Sequence, residues 1–385
     1  MAARHKVGLL LYFNNIYRTL PLFIRWFIRW LIRSFVSSLK PVLLMSLFSL
    51  SSCSSLHYYA QAIGGHTKLL LQREPVEKAI EKPELEPSLR DKLSLTRNIR
   101  TFATNAGLQT GDAYTTYVDT GEPYIVWNVF AAPEFSLSMK QFCFPIVGCT
   151  SYKGYFRQAD AMAEASKLKA QGYDVYVGGV GAYSTLGWFS DPILDSFLLR
   201  TDAQLAALLF HELAHRELYV KGDSQFNESF ATSIERFLVK RWLQEEGRSE
   251  ELDTLSSART RQQEVLDLVN RTKNDLARVY DDDSSEESMR KAKHELLEEL
   301  RERYLQVHAG WQGSNDYYAW MMAEMNNAKL GTLSTYNDWV ESFNVILTQE
   351  DHDLVAFIDR VKQLARLDRA TRDQRLKELA NASLK

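Results

Sequence analysis

Apolar and polar residues follow two registers along this chain, and the change between them divides the sequence. Tyr124-Ile-Val-Trp-Asn-Val-Phe130 is β-branched and aromatic, ends shortly before Pro133, and predicts a strand. Tyr173-Asp-Val-Tyr-Val177 predicts another, broken by Gly178-Gly179. Between them, residues 156–171 carry an amphipathic helical pattern that stops at Gly172. Beyond residue 200 the helical period takes over. Thr201 and Gln204 have the spacing of a capping box, and Leu205, Ala206, Leu208, Leu209 and Leu213 give a helix over about 202–219 an apolar side. After Gly222-Asp223 a second helix is expected over about 226–246. Residues 250–307 are dense in Glu, Arg and Lys, with Leu or Val at helical intervals and Asp281-Asp282-Asp283-Ser284-Ser285 as punctuation. They predict a helical hairpin with a solvated face, and residues 352–382 a further charged helix. Residues 74–95, rich in Glu, Lys and Pro, are expected as an exposed helix and linker. The fold class is therefore α+β, with a strand-containing N-terminal part and a mostly helical C-terminal part.

Composition narrows the picture. With 385 residues, 45% of them hydrophobic, the chain can bury a sizeable core. A net charge of −3 and the lack of a basic stripe in its body exclude an electrostatic nucleic-acid binder. Residues 1–40 carry Arg4, Lys6, Arg18, Arg25, Arg29, Arg33 and Lys40 and no acidic side chain. Residues 41–50, PVLLMSLFSL, are then apolar, and the order basic, apolar, small is that of a secretory signal. The segment closes on Leu50-Ser51-Ser52-Cys53, which resembles the bacterial lipobox, whose cysteine is acylated and becomes the mature N-terminus. Ser54, rather than Asp, follows, and the same resemblance then implies an outer-membrane anchor facing the periplasm. A membrane span over 7–36 is disfavoured by Arg18, Arg25, Arg29 and Arg33, although the four-residue spacing of the last three also suits an amphipathic surface helix. In an exported protein, Cys143 and Cys149 meet an oxidising compartment, and a disulfide between them is expected. The expected organisation is a signal segment over 1–52, an N-terminal α+β part over 53–200 with an edge strand, and a helical part over 201–385.

His211-Glu212-Leu213-Ala214-His215 carries the chemistry. On a helix the two histidines lie on one face a turn apart, so both imidazoles can converge on a single zinc ion. Glu212 adjoins the first ligand and can act as general base toward a water that attacks a carbonyl. A catalytic zinc needs a third protein ligand and an open position. Twelve residues after His215 comes Asn227-Glu228-Ser229-Phe230-Ala231. Glu228 opens the helix that folds back after the Gly222 turn and is placed to be that ligand. Glu235, seven residues on, lies along the same face and can hydrogen-bond to a ligand histidine.

NESFA with its following Glu resembles the NExFAxxxE segment of gluzincin aminopeptidases, where the Glu after Asn binds the metal. The stretch between the two motifs is shorter than in the large aminopeptidases and thermolysin. A closer resemblance is to a family of predicted bacterial lipoprotein aminopeptidases. It is carried by Tyr58-Tyr-Ala-Gln-Ala62, Trp127-Asn-Val-Phe-Ala131, Phe144-Pro-Ile-Val-Gly-Cys149, Lys153-Gly-Tyr-Phe156, Val175-Tyr-Val-Gly-Gly179, Tyr183-Ser-Thr-Leu-Gly-Trp-Phe189, HELAH and Asn326-Asn-Ala-Lys-Leu330. The resemblance implies a thermolysin-like core and a peptide substrate. Gluzincins often stabilise the oxyanion with a Tyr or His from the helical half; Tyr336 is the first choice here, with Tyr317 and Tyr318 as rivals. Gly178 to Phe189 is by analogy the place for an edge strand that pairs with the substrate backbone, or else a tight structural turn. The expected function is thus a one-zinc peptide hydrolase, an aminopeptidase by resemblance, anchored by lipid in the bacterial envelope. The alternatives are an envelope metallo-endopeptidase and a non-catalytic zinc-stabilised lipoprotein. The charged helices offer a surface for a protein partner.

Overall fold

In the computed structural model, which describes residues 58–144, 148–181, 190–311, 314, 316–333 and 339–382, short strands precede a helical majority. The strands are β1 (Glu74–Pro75), β2 (Thr116–Val118), β3 (Val126–Pro133), β4 (Phe142–Phe144), β5 (Gly148–Thr150), β6 (Tyr152–Tyr155), β7 (Tyr173–Val180) and β8 (Ile193–Leu194). They form three small sheets among the described residues, ordered β1-β2-β8, β6-β3-β7 and β4-β5. The main pairing is antiparallel, with β3 against β7 from Val126↔Val180 to Pro133↔Tyr173. β7 is an edge of that sheet. Cys143 and Cys149 face each other across the β4-β5 hairpin and are joined by a disulfide.

Besides the helical residues 58–72, the helices that precede the HELAH segment among the described residues are α1 (Val76–Ile80), α2 (Pro87–Asn105), α3 (Gln158–Lys169) and α4 (Asp195–Leu198). Ala161, Ala165 and Leu168 recur at helical spacing and seat α3 on the β3-β7 pair. Gly172 then ends the helix with φ +84°, a conformation that only glycine adopts without strain. The stretch expected as an exposed helix and linker differs in the structure. Val76 and Ala79 of α1 are buried, and α2 presents Leu93, Thr96, Ile99 and Ala103 to the core along one face.

The remaining helices are α5 (Asp202–Glu217), α6 (Ser224–Glu245), α7 (Glu250–Asp281), α8 (Glu286–His308), α9 (Tyr318–Met322), α10 (Asn327–Leu330), α11 (Val340–Gln349), α12 (Leu354–Ala365) and α13 (Arg369–Ala382). The charged tail expected as one helix is therefore two. The Asp368 carboxylate accepts from the Thr371 amide at 3.1 Å and starts a new helix there.

Among the described residues, the buried side chains form two apolar clusters. The larger takes α2, β8, α5, α6, α11 and α12 around Leu93, Ile193, Leu209, Phe230, Phe343 and Phe357. The smaller lies within the α7-α8 hairpin, where Val265, Val269, Leu276, Leu297, Leu300 and Tyr304 form a buried seam beneath the charged face. Asn326 and Asn327 fasten this hairpin region to the sheet. Asn326 Nδ2 donates to the Val175 carbonyl at 3.1 Å, and Asn327 Nδ2 donates to the Glu134 carbonyl at 2.9 Å. The described residues from Gly65 onward belong to one unit, and residues 58–64 before it are helical.

Candidate metal centre

α5 is built to present its last two turns. Thr201 and Gln204 close a capping box, with backbone-to-side-chain distances of 3.2 and 3.3 Å. Leu205, Leu209, Phe210 and Leu213 are buried and fix the roll of the helix. That roll turns His211 and His215 toward α6, their ring centroids 4.9 Å apart and their planes at 82°.

The connection to α6 is held at several points. Gly222 supplies the turn at φ +79°. Asp223 caps α6 by accepting from the Phe226 amide at 3.1 Å, and its other oxygen pairs with buried Arg372. The Asn227 side chain accepts from the Val220 N–H at 2.8 Å and donates to the Val220 carbonyl at 2.9 Å. This two-point clamp sets where α6 starts, and Glu228 is the next residue.

Glu228 Oε2 lies 3.2 Å from His211 Nε2, and Oε1 lies 3.7 Å from His215 Nε2. One ligand atom from each of the three residues falls within 4.8 Å of the others. Ligands held at about 2.0–2.2 Å around a tetrahedral ion stand about 3.4 Å from one another, which the two observed distances bracket. Two imidazole nitrogens and one carboxylate suit a divalent cation of borderline softness. Buried His215 has no hydrogen-bond partner at Nδ1 among the described residues, and its Nε2 faces Glu228. The residues present thus fit a single metal ion.

The electrostatics agree with three groups arranged for a cation. Burial opposes charge on His211, but its hydrogen bonds to Glu228 and Glu235 outweigh burial and hold the imidazole up at about 10. His215 moves the other way, to about 4, through burial and the adjacent His211 charge, with Glu228 opposing. Burial also works against the Glu228 carboxylate, yet the two histidines hold it below the usual range. In the metal-free protein at neutral pH, His211 therefore carries a proton that a cation must displace. The raised value means that this proton stabilises the metal-free fold below about pH 6.5, and the stabilisation is lost as pH rises through about 10. Metal uptake near pH 7 is expected to release about one proton, and apparent affinity to rise by up to about tenfold per pH unit below that value. Calorimetry in two buffers of different ionisation enthalpy checks this, and uptake without proton release would contradict it.

Glu235 backs the cluster from the second turn beyond Glu228. Its Oε2 is 3.2 Å from His211 Nδ1, and Arg259 of α7 approaches its Oε1 at 3.5 Å. The carboxylate thereby orients the His211 ring and directs Nε2 at Glu228. Glu235→Ala is expected to weaken metal binding by about 10–100-fold, read by chelator competition. Unchanged affinity would remove Glu235 from this role.

Glu212 follows His211 on α5 and is partly buried; its negative charge acts on His211 and on Tyr114. Tyr114 was not a candidate from sequence, because nothing in Gly111-Asp-Ala-Tyr114 marks it. It is buried, sits at φ +60°, and its amide donates to the Asp191 carbonyl at 2.8 Å. Burial, then the charges of Glu212 and Asp191, push its phenol well above the usual range and keep the hydroxyl neutral. Asn227 and Arg259 were missed too, as their contacts run to backbone and to a distant helix. The structure thus brings His211, His215, Glu228, Glu235 and Glu212 into one neighbourhood. Cys53, Tyr336 and residues 182–189 of the proposed substrate strand lie outside the described residues. Of the rival tyrosines, Tyr317 and Tyr318 belong to the hairpin region: Tyr317 packs against its apolar cluster and Tyr318 contacts His308.

Fold and site together define an α+β protein, about 63% helical, with a candidate metal centre between two consecutive helices. A family model described as "Putative aminopeptidase" matches residues 57–376, and the chain belongs to that family. Peptidase is the general function that this membership supports. No curated protein and no solved structure matches the chain.

Proposed function

We propose that this chain is a zinc-dependent aminopeptidase of the gluzincin type, lipid-anchored at Cys53 in the bacterial outer membrane and facing the periplasm. The observation that carries the reading is the approach of His211, His215 and Glu228 to one another beside Glu212, in a chain of the aminopeptidase family. The three residues would hold one zinc ion, which supplies Lewis acidity that polarises a scissile carbonyl and makes a water acidic near neutral pH. Glu212 takes the proton of the attacking water as the water oxygen bonds to the carbonyl carbon, and passes it to the amine as the C–N bond breaks. Glu235 keeps the His211 ring aimed, and Arg259 holds Glu235 in place. Tyr336 is the proposed donor to the oxyanion. The substrate is a peptide, and the gluzincin core is the proposed frame of the site.

Turnover of peptides with free and with blocked N-termini tests the assignment. An aminopeptidase cleaves only the free form, and equal cleavage of the blocked peptides would replace it with an endopeptidase. The anchor is tested separately. Cys53→Ser is expected to shift the protein from the membrane fraction to the soluble fraction, and an unchanged distribution would reject lipidation at Cys53.

A further inference from the structure

A second concave site lies on another face of α6. It is a cavity of about 610 Å³ between α6 and α11, walled by Arg236, Phe237, Lys240, Arg241 and, from beyond α11, His352. Arg236 and Lys240 are one helical turn apart, as are Phe237 and Arg241, so the cations gather on one strip of the helix. None of the residues lining the cavity is acidic; Gln244, Asn344 and Thr348 add neutral polar groups.

Two observations separate this cavity from an ordinary solvated face. Arg236 Nε is buried and has no hydrogen-bond partner among the described residues, although a buried N–H donor is costly to leave unpaired. Arg259 repels it, and Glu235 and Glu341 attract it and offset part of the cost of its burial. The chain also holds a strained backbone here. Asp351 and His352 take φ of +52° and +62° at the end of α11, where glycine would be free of strain. The result is that the His352 ring stacks on Phe237, 6.1 Å between centroids at 19°, and forms a flat wall of the cavity. Arg241 is partly satisfied, its Nε bonding Glu245 at 2.8 Å, so Arg236 and Lys240 carry most of the unmet charge.

We propose that this cavity binds a phosphate group, with the Arg236 guanidinium donating to its oxygens and Lys240 adding a second positive charge. A guanidinium matches a tetrahedral oxyanion through paired N–H donors, and the aromatic wall accommodates whatever organic part the phosphate carries. The phosphate arrives on a small molecule or on a lipid headgroup, and α6 links the cavity to Glu228 and Glu235.

The test compares the full-length protein with Arg236→Gln and Lys240→Gln in the same metal state, so that any phosphate held at the metal centre is common to all three. Inorganic phosphate is titrated by calorimetry, and vesicles of equal parts phosphatidylcholine and phosphatidylglycerol are titrated in a flotation assay. Saturable phosphate binding that weakens by about tenfold or more in Arg236→Gln, and by several-fold in the exposed Lys240→Gln, is the expected result. Variant-sensitive binding to vesicles without phosphate binding assigns the same group to a lipid. Equal binding by the three proteins in both assays, or no binding, overturns the proposal. Peptidase activity enters neither readout, so failure here is distinct from failure of the aminopeptidase reading.

Discussion

Glu212→Gln is expected to lower peptide turnover by about 10²–10⁴-fold, the range that a positioned general base contributes. The exchange keeps the size of the side chain and removes only its ability to take a proton. His211, His215 and Glu228 are untouched, so metal content should match the wild type. The folded state should survive as well, because the side chain is only partly buried and on the helix surface that carries the histidines. The decisive comparison is kcat/KM against bound metal in one preparation. A loss of turnover with full metal identifies the proton carrier. A variant as active as the wild type would take Glu212 out of the chemistry. Wild type and variant equally inert on a broad peptide library would favour a zinc-stabilised binding protein over an enzyme.

The meeting of His211, His215 and Glu228 was legible in the sequence because each position depends on a local rule. Histidines four residues apart share a helix face, and Gly222-Asp223 announces a turn followed by a capped helix. The return of the chain then brings Glu228 beside the first pair without any long-range information. Glu235 was legible for the same reason, being two turns further along the face already assigned. Tyr114 and Arg259 were not, since each reaches the cluster across a large sequence separation from an element with no motif of its own. Asn326 and Asn327 show a related limit. Their segment stood out by resemblance, but its work is to bond the hairpin region to the carbonyls of Val175 and Glu134.

The fold divides in a similar way. The capping box of α5, the glycine stop of α3 and the presence of strands β3 and β7 follow from residues next to one another. Gly178-Gly179 does not break β7, because the two glycines pair with Asn128 and Trp127 of β3 and the strand continues to Val180. α2 escaped because its core face is narrow: Leu93, Thr96, Ile99 and Ala103 are inward, and the arginines, lysine and asparagines around them dominate a linear reading. The charged helices α7 and α8 mislead in the same sense. Their solvated faces are real, yet Val265, Val269 and Leu300 beneath them are wholly buried. Where one apolar residue per turn suffices to bury a helix, charge density hides it.

Phe343→Ala is expected to destabilise the protein by about 3–5 kcal/mol, the usual cost of removing a buried aromatic ring. Phe343 of α11 is fully buried and meets Phe226 at 5.3 Å, Phe230 at 6.1 Å and Phe357 at 6.4 Å between ring centroids. Phe226 and Phe230 lie one turn apart on α6 and flank Glu228 in sequence, so this cluster sets how α6 sits behind the candidate metal centre. Phe230 and Phe357 stack at 5.9 Å, and neither ring can follow a vacated Phe343 without leaving the other. The cavity is therefore expected to persist, which places the cost toward the upper part of the range. Denaturant unfolding with unchanged slope measures it, and a loss below about 1 kcal/mol would mean that the cluster repacks. A second measurement separates core from site. Metal stabilises only the native state, so the increment in stability between metal-loaded and chelated protein reports affinity. If Phe343 acts on the core alone, that increment is equal in wild type and variant. If α6 shifts when the ring is lost, Glu228 moves with it and the increment shrinks in the variant.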